Sequence, residues 1–258
     1  MTAHSPALAT TNASLSCGAV DTPRSPNGLR VAFLAPMPSE LRPLVRAASL
    51  RRAEGPAPRL YRGRVGNAAV VATMTGIGTA AAAQAANRLF DAEPLDHMIV
   101  VGIAGGVGAG VAIGDIVVPK LVIDGASGQA YPPAPLVGLT ASGLLQTSDE
   151  FVADPDGVAR LEARGVIAVD METASIAAVC VQRNCPWSVV RAISDRAGAL
   201  PADILGLVHP DGSPNLRAAA RYLLVHPGRL PALVTLGRDA AHAARAAARV
   251  AVKACAQF

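Results

Sequence analysis

Two carboxylates stand out by where they fall in the chain. In the stretch from Val169 to Gly198, VDMETASIAAVCVQRNCPWSVVRAISDRAG, Glu172 precedes a helix-forming run and Asp195 follows a strand-forming one. Met171, Ala174, Ile176, Ala177, Val179, Cys180 and Val181 supply apolar helical faces, and Asp170 or Thr173 can cap the orphan N–H groups at the start. Asn184, Cys185 and Pro186 end the helix. Trp187 to Ile193 is mostly apolar and β-branched, as a strand buried on both faces is. Ser194, Asp195 and Arg196 then lie at its carboxyl end, where open α/β sheets bind ligands. Carboxylates in such a place can exchange a proton with a ligand or hold its hydroxyls.

Other elements must carry these acids to one mouth. Leu29 to Ala35, LRVAFLA, reads as a buried strand interrupted by Pro36 and Pro38. Ser39 is the expected cap of a following helix that contains Leu41, Leu44 and Val45. Glu40 falls in its first turn, either as a complement to the helix dipole or as a third carboxylate at the mouth. Arg59 to Val65 and Ala68 to Thr75 form a hairpin about Gly66-Asn67. Gly76, Gly78 and Ala81 then open an Ala-rich helix to Phe90. They match the GxGxxA dinucleotide fingerprint, which would suit an oxidoreductase, or they make a tight strand-to-helix turn. His97 to Ile103 is another buried strand, and it runs into the Gly-rich Gly102 to Gly106. There a bare backbone admits a ligand or a crossing segment.

A strand is expected over Ile116 to Ile123, a loop over Gly125 to Pro135, and a strand within Leu136 to Thr147. Phe151 follows as a core anchor or a ring that stacks on a ligand. A short helix is expected at Leu200 to Gly206, a turn at Asp211-Gly212, a helix from about Pro214 to Val225, and a long final helix, or two, over Leu230 to Ala256. Arg238, His242, Arg245, Arg249 and Lys253 recur on one face of the last helix, as a solvated stripe or a surface for acidic lipid headgroups.

Composition fits one α/β domain over residues 28–258, preceded by a disordered extension over 1–27. The chain is 51% hydrophobic, 3% aromatic and +4 in net charge, which gives no aromatic-plus-basic signature of nucleic-acid binding. Cys17, Cys180, Cys185 and Cys255 form no CxxC pair and have no metal-ligand spacing with the histidines, so no metal is expected. No apolar run has the length of a membrane span, and the expected location is the cytoplasm.

Val169 to Glu172 followed by Val190 to Asp195 closely resembles the purine nucleoside phosphorylase/nucleosidase superfamily, nearest its 5′-methylthioadenosine/S-adenosylhomocysteine nucleosidases. Met37 to Glu40, Gly76 to Gly78, Gly102 to Gly106 and Gly114-Asp115 stand in the order of that family's motifs. The similarity spans roughly Leu29 to Gly198. The shortened segment between Val118 and Phe151, together with LPADILGLVHPDGSPNLRAAARYLLVHPGRLPALVTLGRDA, resembles the hopanoid-associated branch and extends the similarity almost to the carboxyl terminus.

The resemblance implies a mixed, twisted central sheet flanked by helices in three layers, a dimer, and cleavage of the bond between ribose and a purine. Such cleavage leaves an oxocarbenium-like sugar and a poor purine leaving group, so an acid must protonate N7 of the base. The family pattern gives that role to Asp195, oriented by Ser194. It gives Glu172 the ribose hydroxyls, with Met171 against the sugar, and Glu40 the nucleophilic water. Arg191 would hold carboxylates and water. Phe151 would stack on adenine, the Val152 backbone would read its edge, and Ala104 and Gly105 would line the pocket.

Two departures stand out. Ile103 replaces the usual Ser or Thr before Ala-Gly-Gly, which removes a hydroxyl beside the nucleophile. The segment from about Asp124 to Leu139 is short, leaving the 5′ side open to a bulky substituent, as in adenosylhopane. No cofactor is expected. Glu40 favours water as the nucleophile, with inorganic phosphate as the alternative co-substrate.

Overall fold

The computed structural model describes residues 28–55, 57, 59–150, 154–198, 206, 209 and 215–258. The amino-terminal extension, Phe151, Val152, nearly all of the Leu200 to Gly206 helix and the Asp211-Gly212 turn lie outside them.

In chain order the elements are β1 (Arg30–Ala35), α1 (Pro38–Ala47), β2 (Arg51–Arg52), β3 (Tyr61–Val65), β4 (Ala68–Met74), α2 (Thr79–Ala92) and β5 (His97–Gly106). Then come β6 (Ile116–Val117), β7 (Leu121–Asp124), β8 (Ala130–Tyr131), β9 (Leu144–Thr147), α3 (Pro155–Ala163), β10 (Val166–Asp170), α4 (Thr173–Gln182) and β11 (Trp187–Arg196). The chain ends in α5 (Leu216–Val225) and α6 (Leu230–Cys255).

One mixed sheet of 11 strands holds the molecule together. Its centre is parallel: β4, β1, β5 and β11 lie side by side. Their alternation sorts side chains into two cores. Val31, Phe33, Ile99, Val101, Val190 and Ala192 pack toward α1 and α6. Ala32, Leu34, Met98, Val100, Val189 and Ile193 pack toward α2 and α4. The result is the expected three-layer arrangement. Alanines 243, 244, 247, 248, 251 and 254 of α6 are all buried, and their small size lets the helix lie close on the sheet.

The edge of β5 that faces β1 changes partner. β1 pairs with it from His97 to Val100, and β10 pairs antiparallel with Gly105 and Gly106. Between them the ladder opens, just past the pairing of β1 with β5.

Several expectations are corrected and others are sharpened. Ile116 to Ile123 is two short strands, because Pro119 has no N–H to continue a ladder. The strand within Leu136 to Thr147 is only Leu144–Thr147. The Gly-rich run Gly102 to Gly106 continues the strand, as the last part of β5. Ser39 does not cap α1. Met37 is the cap residue, and its N–H donates to Glu40 Oε2 at 2.8 Å. α5 begins at Leu216, after Asn215, whose side chain accepts from the Ala218 N–H at 3.1 Å. α6 is one continuous helix through Gly237.

Candidate active site

Arg191 is the hub. It falls on the row of β11 side chains that faces α2 and α4, between the apolar Val189 and Ile193. It has no exposed surface. A buried guanidinium persists only with charge and hydrogen-bond partners: three carboxylates supply the charge, and the hydrogen bonds all run from Nη2. Nη2 pairs with Asp170 Oδ2, lies 3.4 Å from Glu172 Oε2, and donates to Thr173 Oγ1 at 2.9 Å. Nη1 lies 3.9 Å from Glu40 Oε1. Burial works against this cation, but the three acids hold it above its ordinary pKa.

Glu40 reaches the opening from the first turn of α1. Its Oε1 accepts the Ile103 N–H at 2.8 Å, a group on the edge of β5 that neither β1 nor β10 uses. Glu172 comes from the bend between β10 and α4, and its Oε1 accepts the Gly78 N–H at 3.1 Å. Both are buried, at 2% and 5% exposure. Desolvation pushes Glu40 up to about 7 and Glu172 up to about 8, although Arg191 pulls each down and Asp170 pushes each up. Glu40 and Glu172 therefore keep their protons to higher pH than an exposed carboxyl does.

Asp195 stands apart from this cluster. The pairing of β11 with β5 slips between Ile193 and Asp195, so Ser194 is an extra residue in the ladder. Such a bulge re-aims the next side chain. Asp195 Oδ2 comes to lie 3.7 Å from where a Cβ on Gly105 would be. Ser194 Oγ donates to Asp195 Oδ1 and also lies 3.4 Å from the Ala104 carbonyl. Burial raises the Asp195 pKa, and the Ser194 hydrogen bond offsets part of that rise.

The remaining expected residues divide. Ala104 and Gly105 line this end of β5, and Met171 is half-buried in the bend between Asp170 and Glu172. Ile103 contributes its backbone N–H, while its side chain packs into the α1–α6 core. Phe151 and Val152 lie outside the described residues.

Four contributions were not read from the sequence. Asp170 is a buried counterion of Arg191 as well as a cap of α4, and it also accepts from Thr147 Oγ1 at 2.6 Å. Thr147 Oγ1 in turn accepts the Ala174 N–H at 2.9 Å. Asp149 caps α2 from across the sheet by accepting the Thr79 N–H at 2.8 Å. Gly102 gives room: a Cβ there would overlap Glu40 Oε1 and Arg191 Nη1. The space expected for a ligand at Gly102 is therefore filled by the protein's own charged groups. The start of α2 is likewise held by Asp149 and Glu172, so a pyrophosphate there would meet two carboxylates rather than free N–H groups.

Known proteins resemble this chain in sequence and in fold. The family model described as the phosphorylase superfamily matches residues 30–138 and 139–219. The 5′-methylthioadenosine/S-adenosylhomocysteine nucleosidase of Chromohalobacter salexigens is 30% identical over 200 residues, 66% of this chain and 85% of the relative. That of Anoxybacillus flavithermus is 33% identical over 168 residues, 54% of this chain and 72% of the relative. Among solved structures, the Neisseria meningitidis nucleosidase in complex with methylthio-immucillin-A superposes with a TM-score of 0.67 at 23% identity, covering 89% of this chain and 99% of that one. The Colwellia psychrerythraea enzyme in complex with adenine gives 0.66 at 23% identity, over 89% and 95% of the two chains.

Proposed function

Since this chain belongs to the phosphorylase superfamily, we propose that it hydrolyses the N-glycosidic bond of a 5′-substituted adenosine and releases adenine. The observation that carries this reading is the separation of the acids. Asp195 is alone on its bulge with a raised pKa, while Glu40 and Glu172 are grouped about Arg191. A leaving-group acid and a nucleophile's base must occupy different sides of the bond they break.

The steps follow from that separation. Glu172 and Met171 hold the ribose hydroxyl face. Protonated Asp195 gives its proton to N7 of the adenine, and the C1′–N9 pair leaves with the base. Glu40 takes one proton from water as its oxygen bonds to C1′. The products are adenine and a 5′-substituted ribose. Asp195 leaves the cycle as carboxylate and Glu40 as acid, and exchange with solvent restores both. An ordinary pKa near 4.5 would leave Glu40 a weak base, whereas a value of about 7 matches it to neutral pH.

Water is favoured over phosphate on charge. Among the described residues, Arg191 is the cation that meets the site carboxylates, and it is already shared by three of them. Arg42 and Arg46 are exposed on the outer face of α1. The short Asp124 to Leu139 segment and the resemblance to the hopanoid-associated branch support a bulky, lipid-like 5′ substituent, adenosylhopane being the case in view. A homodimer, and contact of the basic carboxyl-terminal helix with a membrane, belong to the same reading.

The test is adenine release from 5′-methylthioadenosine and from 5′-alkyl adenosines of increasing size, with and without phosphate. The expected result is release that is independent of phosphate, yields free sugar, and favours the larger substituents. Asp195→Asn should lower the rate about 10²–10⁴-fold, the usual contribution of a general acid. Ribose-1-phosphate formation that requires phosphate would overturn hydrolysis. Much faster cleavage of methylthioadenosine than of any alkyl analogue would overturn the bulky substituent.

A further inference from the structure

Among the described residues, four of the seven exposed large apolar side chains gather in one place, while Ile113, Val137 and Val181 stand singly elsewhere. Leu224 is 84% exposed, Val225 67%, Leu230 51% and Val234 43%. They flank the turn Pro227–Arg229, where α5 hands over to α6. Single exposed apolar residues need no explanation, but a cluster at one projecting corner marks a binding surface.

The charges around the corner are arranged with it. On α6, positions 230, 234, 238, 242, 245, 249 and 253 recur every three or four residues and are all exposed, so they form one stripe. The stripe begins apolar, with Leu230 and Val234, and continues basic, with Arg238, His242, Arg245, Arg249 and Lys253. The exposed face of α5 runs the other way, from Arg217 and Arg221 to Leu224 and Val225. Both helices are therefore basic at their far ends and apolar where they meet. Residues 215–258 hold seven Arg or Lys and one acid, Asp239, a net of +6 in a chain whose total is +4. The rest of the chain is net negative. The carboxyl-terminal half of α6, buried through its alanines, anchors the corner to the sheet.

We infer that this corner docks on an anionic lipid surface, with Leu224, Val225, Leu230 and Val234 entering the acyl boundary and the flanking arginines meeting headgroup phosphates. The pattern is that of an interfacial helix pair. Among the described residues no helix is long and apolar enough to cross a membrane, so the corner lies on the surface. Charge decides against a second copy, and the lack of a free stacking ring among the corner's described residues decides against a nucleic-acid strand. A second copy would bring an equally basic corner against this one. A nucleic-acid strand would be met by stacking rings, whereas the aromatic here, Tyr222, is half-buried and packed on His226 with ring centroids 4.9 Å apart. The inference refines the membrane contact included in the proposed function by moving its centre from the basic stripe to the apolar corner, and it does not depend on the catalytic assignments.

The experiment is flotation of the full chain with vesicles of phosphatidylcholine alone and of phosphatidylcholine mixed equally with phosphatidylglycerol. Binding is expected to the mixed vesicles and not to the neutral ones, and to weaken with salt. Leu224→Glu with Leu230→Glu should reduce it at least ten-fold. Arg221→Gln with Arg238→Gln, which keeps the apolar tip, should reduce it about five-fold for each charge removed. All variants should release adenine from soluble methylthioadenosine at the rate of the unaltered chain, which shows that they are folded. Failure of that release in the unaltered chain would strike the catalytic reading and leave this one standing. The inference is overturned if the unaltered chain ignores anionic vesicles, or if the glutamate pair binds them as well as the unaltered chain. It is also overturned if light scattering shows a dimer that the glutamate pair abolishes.

Discussion

The opening beside β5 and the α5–α6 corner both collect charge, and they manage it in opposite ways. At the opening, Arg191, Glu40, Asp170 and Glu172 are all less than a tenth exposed, and each is hydrogen-bonded to another element. At the corner, Arg221, Arg229 and Arg238 are exposed and solvated. Buried charge is costly unless geometry compensates it, so every partner there is constrained. Solvated charge costs little and constrains little, so it acts only in number. Function follows the same division: a few fixed atoms for bond breaking, many loosely held ones for surface contact.

The contrast is broken most easily at Arg191. Arg191→Ala leaves three carboxylates facing one another without a cation. Loss of one partner from a buried pair typically costs about 3–5 kcal/mol, and adenine release should fall below detection. Urea unfolding measures the first and a product assay the second. A loss of stability under about 1 kcal/mol would mean that the cluster is more hydrated than its burial indicates.

Gly102→Ala is the next largest. The added Cβ would overlap Glu40 Oε1 and Arg191 Nη1, and neither carboxylate nor guanidinium has space to retreat. Overpacking of this kind costs about 1–3 kcal/mol, and kcat should fall more than KM rises, because the displaced groups serve the nucleophile. A folded variant with unchanged kcat would remove Gly102 from the account.

Much of this arrangement was legible in the chain, and the gaps have physical causes. β1, β5 and β11 announce themselves because strands covered on both faces are continuously apolar. Glu172 and Asp195 were expected at one mouth from their places beside those strands, Glu40 was one of two readings of its segment, and Arg191 entered only through the family resemblance. The helix α3 was missed despite Asp154 and Pro155, a cap followed by a proline in the first turn. β10 was not expected as a strand, since its five residues pair only through distant contacts with β5 and β9. The deeper reason for Asp170 and Gly102 could not be seen locally: one waits on Arg191, 21 residues away, and the other on Glu40, which arrives from α1. Apolar residues at the corner were visible in the sequence, but only the fold shows that they are uncovered.

A pH titration sharpens the contrast more gently. Glu40 and Glu172 have folded-state pKa values raised by burial to about 7 and about 8. Their contribution to stability is complete below the unfolded value near 4.5 and is lost as pH rises through 7 and 8. His97, hydrogen-bonded to Ser188 Oγ at 2.9 Å, is held by burial down at about 4, so its contribution is present above 6.5 and lost as pH falls through 4. The Tm should therefore peak on the acid side of neutrality and decline toward pH 9. Glu40→Gln and Glu172→Gln should each flatten the alkaline decline. A Tm that is level from pH 6 to 9 in the unaltered chain would contradict the burial of both acids.

The smallest effect belongs to the far end of the basic stripe. Arg245 and Arg249 are exposed on α6, with buried alanines 243, 244, 247 and 248 on the opposite face carrying the packing. Replacing both arginines by Gln removes two solvated charges and leaves every buried contact in place. Stability in urea should change by less than about 0.5 kcal/mol, and adenine release from a soluble nucleoside should not change. A loss of 2 kcal/mol or more would mean that these arginines are held by partners as the buried cluster is, and the division between fixed and solvated charge would fail on α6 itself.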